Sequence, residues 1–386
     1  WPTWTPIAAA SAATATLVTC GTSGMVVVVV RPERYRDPWF NGDPDPWATD
    51  GEGWVDLDTA TPLDRSAGPV TLGTGPASTP PREGRPGRRG GGRLRLRPPD
   101  DARRELPKPL GITGGERAEY IGLAVPDARH HVHVQGVTGT GKSTWLARQV
   151  LAEADAGRGV ALLDCQGDLA HNVLARLPAS VGDRLVILDP AETDAPAAWN
   201  VLAPPDPASG LAGRVRVAED VVAVFRDLYA AWWGPRMDDT LRAACLTLAR
   251  RPGSTLADML PMLTQQPFRR KVVAEHSEPD GYQGFWDGYD QLTMAQRAQL
   301  TGPVLSRLRS VLSRPFARDL LGASESTFTL SDILDGGILI ARLAKGEIGE
   351  STAQLVGSLL LSGLWAHTIQ RSALAGGPVG RHHRGG

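Results

Sequence analysis

The sequence predicts an α/β protein in which a parallel sheet carries helices on both faces and is interrupted by an all-helical insertion. Three observations predict it. Short apolar runs alternate with amphipathic helical stretches between Tyr120 and Asp189, almost purely helical periodicity then runs from about Leu211 to Leu321, and strand character returns at Ile338-Leu339-Ile340-Ala341-Arg342-Leu343. Apolar strands separated by helices imply parallel pairing, because each parallel connection needs a crossover and the crossover helices cover both faces of the sheet.

Residues 1–30 carry no charge, and Ala12 to Val30 is long enough to cross a bilayer, with Arg31, Arg34 and Arg36 following directly. Such a pattern makes residues 1–34 a candidate membrane-anchor segment. Against it stand the many Thr, Ser and Gly residues and the β-branched run Val26 to Val30, which also suit a strand or a disordered tail. Residues 35–109 then turn to Pro, Gly, Asp and Arg with few apolar clusters, the composition of a largely disordered linker. Its basic run Arg82-Glu83-Gly84-Arg85-Pro86-Gly87-Arg88-Arg89 could sit on phosphate, but a solvated linker is the more frequent reading. The folded part is expected to begin near Leu110.

Strands are predicted at Tyr120–Val125, His131–Val134, Gly159–Asp164 and Leu185–Asp189, with helices over Ser143–Ala156 and Leu169–Leu177. In the following stretch Val217, Val221, Val222, Phe225 and Leu228, and again Val304, Leu305, Leu308, Val311 and Leu312, recur at the spacing of a buried helix face. A helix is expected from Ser351 to about Arg371. The chain therefore divides into 110–210, the first part of the α/β domain; 211–325, the insertion; 326–371, the domain resumed; and 372–386, an irregular tail.

A formal net charge of −1 gives no global electrostatic case for nucleic acid, so any such contact must be local. Cys20, Cys165 and Cys245 have no metal-ligand spacing and cannot form a complete disulfide framework, which indicates a reducing compartment. His131 and His133 share a strand face, and with no third ligand nearby a satisfied pair of strand histidines is preferred to a metal site.

The sharpest motif is Gly136-Val137-Thr138-Gly139-Thr140-Gly141-Lys142-Ser143, the spacing of a phosphate-binding loop. Glycines let successive N–H groups converge on phosphate oxygens, and a helix starting at the lysine aims its positive end at the same anion. Lys142 would reach the β- and γ-phosphates of ATP and the Ser143 hydroxyl would ligate Mg²⁺. The loop follows a predicted strand and opens a predicted helix, the context the chemistry requires. Asp164, ending the next strand, is a candidate magnesium carboxylate, with Asp168 behind it as a helix cap and Asp189 a weaker candidate.

Taken together, residues 110–371 resemble the motor domain of conjugative coupling proteins of the TraG/TraD type, within the HerA/FtsK-like class of P-loop ATPases. The matching stretches are Gly136 to Thr144, the box Asp164-Cys165-Gln166-Gly167-Asp168-Leu169, Trp199-Asn200-Val201-Leu202, Trp232-Trp233-Gly234-Pro235-Arg236 with Leu241-Arg242, and Ala344-Lys345-Gly346-Glu347-Ile348-Gly349. The resemblance implies a RecA-like P-loop NTPase fold and a ring-forming, hexameric homo-oligomer at the inner face of a bacterial cell membrane. It further implies ATP-driven movement of DNA, single strands included, or of a relaxase–DNA complex, into type IV secretion channel components. An N-terminal membrane anchor is usual in that family.

One departure matters. The family carries an Asp-Glu pair ending a strand shortly after the helix that corresponds to Ser351–Arg371, whereas here residues 372–386 contain neither an apolar strand nor such a pair. That tail resembles the frame-shifted or truncated end of a GC-rich gene. The expectation is a chain that binds ATP through Gly136 to Thr144 and hydrolyses it slowly or not at all. A nucleotide-regulated binding module without translocation is the alternative reading. Arg307, Arg309, Arg314 and Arg318 are read as a solvated helix face, and Trp232, Trp233, Phe285 and Trp286 as core.

Overall fold

A computed structural model describes residues 15–20, 25–30, 104, 106–112, 120–125, 127–129, 132–134, 140–204, 209–275 and 282–375. The strands are β1 (Ala15–Cys20), β2 (Met25–Val30), β3 (Lys108–Ile112), β4 (Tyr120–Leu123), β5 (Val132–Val134), β6 (Val160–Asp164), β7 (Leu185–Leu188) and β8 (Ile338–Arg342). The helices before the insertion are α1 (Lys142–Asp155) and α2 (Asp168–Leu174). Those of the helical region are α3 (Gly210–Leu228), α4 (Pro235–Arg250), α5 (Met259–Thr264), α6 (Gln266–Ala274), α7 (Tyr282–Gln291), α8 (Met294–Leu312) and α9 (Pro315–Leu321). Three follow it: α10 (Leu330–Leu334), α11 (Lys345–Ile348) and α12 (Glu350–Ala375).

Every residue of β6 and β8 is buried. A strand covered on both faces has no side for polar residues, which is why both read as unbroken apolar runs up to their last position. They pair in parallel, with Asp164 opposite Arg342, and β7 pairs in parallel with the far side of β8. Alternation along each strand divides its side chains between two cores. Val160, Leu162, Ile338 and Ile340 meet Leu146 and Val150 of α1 and Leu169 and Val173 of α2. Ala161, Leu163, Leu339 and Ala341 belong to the larger core, built with α3, α4, α8 and α12. The fold is thus α/β with a parallel sheet and helices on both faces, and the helical region shares its core with one face of that sheet.

Three boundaries differ from the sequence reading. Within the candidate membrane segment, the described parts are strands: β1 and β2 form an antiparallel hairpin, β2 lies parallel to β6, and β1 pairs antiparallel with β5, giving the order β5-β1-β2-β6-β8-β7. An uncharged, β-branched stretch suits a sheet as well as lipid, and among the described residues no helix is long and apolar enough to cross a membrane. Ordered packing starts before Leu110, because Lys108 is buried and its ammonium lies 2.8 Å from Glu153 of α1. Arg158 donates to both oxygens of the same carboxylate, at 2.6 and 2.9 Å, and through its remaining nitrogen to the carbonyls of Arg104 and Leu106. The remainder of the linker, residues 35–103 and 105, lies outside the described residues. The last helix also runs past Arg371 to Ala375, and residues 376–386 of the tail lie outside the described residues.

Asn200 closes the helical excursion. Its buried amide donates to the carbonyls of Ser254 (2.9 Å) and Ser324 (3.0 Å), and its side-chain oxygen accepts from the N–H of Leu202 (3.0 Å). Beside it, the Trp199 N–H donates to the Leu320 carbonyl (2.7 Å) and the Thr327 N–H to that of Ala198 (2.9 Å). Asn200→Ala strands these partners and is expected to cost about 2–3 kcal/mol. Asn200→Asp should cost more, since a carboxylate would face two carbonyl oxygens; urea denaturation of both variants measures the order.

His367 of α12 sits half-buried with its Nδ1 2.9 Å from the Ser331 hydroxyl of α10. Burial pulls the imidazole pKa down from 6.5 to about 4. The folded state therefore holds this proton more weakly than the unfolded chain, so stability is complete above pH 6.5 and is lost as pH falls from 6.5 towards 4. His367→Gln should remove that loss. Between pH 7 and pH 4.5 the stability of wild type relative to the variant is expected to fall by on the order of 2 kcal/mol, read from paired denaturation curves.

Candidate functional site

The parallel strands β6, β7 and β8 end together, at Asp164, Leu188 and Arg342. Two successive antiparallel pairings, β5 with β1 and β1 with β2, turn β5 into the same direction. The chain therefore leaves β5 at the carboxyl edge, where open α/β sheets place their ligands. It re-enters regular structure at Gly141, the N-cap of α1, whose φ of +89° lies in the left-handed region. A Cβ there would touch nothing within 4 Å, so glycine is required by conformation and not by crowding.

α1 starts at Lys142, with no acidic residue in its first turn. Ser143 and Thr144 are exposed and Lys142 is half-buried. The first intrahelical bond runs from the Trp145 N–H to the Gly141 carbonyl at 2.9 Å, so the N–H groups before it point out of the helix end. Thr140, also exposed, precedes the glycine; Gly136, Val137, Thr138 and Gly139 lie outside the described residues. What is described fits a phosphate: a cationic side chain, two hydroxyls and a helix N-terminus without a competing anion.

The helix carrying these groups is held from outside by a stripe at i, i+4, i+8. The Trp145 indole donates to the Leu110 carbonyl (2.9 Å), Gln149 donates to that of Pro109, and Glu153 receives Lys108 and Arg158. β3 thereby fixes the axis along which the phosphate-facing end of α1 points.

Asp164, the candidate magnesium carboxylate, is engaged by the backbone. It is fully buried, and its two oxygens accept one backbone bond each, from Gln166 N–H and Ala170 N–H, both at 2.9 Å. The second donor lies in the first turn of α2, so Asp164 performs the capping expected of Asp168, which instead stands exposed. The turn between them passes through Gly167 at φ +97°, where a Cβ would come within 3.3 Å of the Ala344 methyl. Moreover β5 and β6 are three strand spacings apart in the sheet, about 14 Å at roughly 4.8 Å each.

Sequence reasoning missed Arg342. Its guanidinium, 4% exposed, donates to Asp189 at 2.6 and 2.9 Å and to both oxygens of Glu347. Burial would push the Asp189 carboxyl up, but the bonds from Arg342 more than offset this and hold it below its ordinary value. The bond from Arg342 does the same for Glu347. An arginine ending an otherwise apolar buried strand was the available signal. Among the described residues no group of three or more His, Cys, Asp or Glu side chains could hold a metal; His131 and the His133 side chain lie outside them.

Comparison with family models, with curated proteins and with solved structures gives no match.

Asp164→Ala is expected to cost about 2–3 kcal/mol by urea denaturation, because two buried N–H groups lose their acceptor. Asp168→Ala should stay within about 0.5 kcal/mol of wild type.

Proposed function

We propose that this chain is the ATP-binding motor domain of a DNA-translocating ATPase of the coupling-protein type, a P-loop NTPase with a RecA-like sheet. One observation carries the nucleotide reading: β5, an edge strand running in the direction of the parallel strands β2, β6, β8 and β7, precedes a left-handed Gly141 that opens a helix beginning at Lys142. On this reading the backbone from Gly136 to Gly141 would cradle the phosphates, Lys142 would neutralise the β- and γ-oxygens, exposed Thr144 would stand at the same helix end, and Ser143 would supply one oxygen to Mg²⁺. The metal would screen the charge that builds on the phosphates. The DNA reading rests on the order of sequence boxes along the chain, as do a hexameric ring, a relaxase–DNA cargo and a secretion-channel partner.

A second reading, a nucleotide-regulated binding module, is favoured by the state of the carboxylates. Among the described residues, Asp164 at the end of β6 is committed to backbone N–H groups, and Asp189 and Glu347 to Arg342. A carboxylate already held in this way is less ready to complete a magnesium shell or to orient a water. ATP binding with slow hydrolysis is the outcome common to both readings.

Calorimetric titration with MgATP is expected to give saturable binding, abolished in Lys142→Ala; unchanged affinity in that variant sinks the site assignment. Phosphate release measured with and without single-stranded DNA then separates the readings. A DNA-dependent rise rejects the binding module, and a flat response at full nucleotide occupancy favours it.

A further inference from the structure

Away from the carboxyl edge, a shallow cleft open to solvent lies between α3, α12 and the turn around Trp199. Its walls are apolar except at three positions, of which Asp220 is the most unusual. α3 buries Val217, Val221, Val224 and Phe225, and helical spacing puts Asp220 within that same stripe. Among the described residues its carboxyl makes no hydrogen bond. The opposing charge nearest to it in effect is exposed Arg216, one turn back on the same helix. Burial pushes the Asp220 pKa up to about 6 and Arg216 reverses only part of that, so near pH 7 the group is still mostly an anion.

The opposite wall offers it no cation. His367 lines the cleft as a neutral imidazole whose Nδ1 is engaged by Ser331. Ser362 is the remaining polar group. Gly363 lets α12 pack tightly at the floor of the cleft: a Cβ there would come within 2.6 Å of Leu330 and 3.2 Å of the Trp199 ring. An unpaired anion in an apolar recess costs free energy that a complementary cation recovers, and an aromatic wall adds attraction for the same charge.

We propose that this cleft binds a small organic cation, an alkyl- or arylammonium, with the ammonium on Asp220 and the apolar body against Trp199 and Leu359. The inference does not depend on the nucleotide site. Benzylamine is a suitable probe, and benzyl alcohol has nearly its shape without its charge. In calorimetry of the full chain, benzylamine is expected to bind about tenfold or more tightly than benzyl alcohol, and Asp220→Asn should erase that difference. Ala366→Phe, which fills the cleft and keeps the acid, should abolish binding of both; it provides the test if Asp220→Asn does not fold. Equal affinity for the two probes, an unaltered preference in Asp220→Asn, undiminished binding in Ala366→Phe, or no benzylamine binding at about 10 mM would each overturn the proposal. MgATP titration of the same variants should be unchanged, which keeps a failure here distinct from a failure of the nucleotide reading.

Discussion

Two strands buried on both faces set the terms for the rest of the molecule. β6 and β8 expose no side chain worth solvating, and their backbone groups can be satisfied only by neighbouring strands. Parallel neighbours then demand crossovers, and the crossovers supply the covering layers: α1 and α2 below, α3, α4, α8 and α12 above. Each fully buried Val, Leu or Ile contributes about 1.5–3 kcal/mol, so the paired strands and their covers outweigh any local preference at the sheet's margins. Collecting the strand ends on one edge, and with them Lys142, Asp164 and Arg342, is a by-product of that arrangement.

The charges inside this frame work as fasteners. Glu153 joins β3 to α1 and to the turn before β6 through Lys108 and Arg158. Arg342 joins β8 to Asp189 beyond β7 and to Glu347 on α11. Fully buried Arg269 does the same within the helical region, bonding Asp290 and the Met262 carbonyl while lying over the rings of Tyr289 and Trp286. Such clusters add little net energy compared with apolar substitutes, but breaking one leaves a buried ion without a partner, so each resists alternative packing.

Much of the fold could be read from the chain because it depends on periodicity. β6, β7, β8, α1, α2 and α12 fall within a few residues of where apolar patterns put them, and the start of α1 at Lys142 followed from the glycine spacing. Trp286 is core as read, and Phe285 and Trp233 pack against it, whereas the Trp232 side chain lies outside the described residues. What could not be read depends on partners. Residues 12–30 are uncharged, and a hydropathy pattern does not distinguish a hydrocarbon interior from a sheet interior; only the valine run hinted at β2. A carboxylate at a strand end looks alike whether it waits for a metal or caps a helix, and Asp164 declares itself through donors two and six residues on. Asp220 carried a legible sign, an acid in an apolar stripe, that only the surrounding helices make meaningful.

The clasp at Asn200 alters how the long helical excursion should be regarded. Because Ala198, Trp199 and Asn200 bond directly to Leu320, Ser324, Ser326 and Thr327, the excursion leaves and rejoins the sheet at nearly one point. From the standpoint of β7 and β8, it closes like a short hairpin, and closure entropy grows only logarithmically with what lies inside. Helices that do not touch the sheet could therefore be gained, lost or remodelled beyond the clasp at little cost to the strand register. The outlying helices and the sheet are free to diversify at different rates, joined through the cluster of bonds around Asn200 and the core they share.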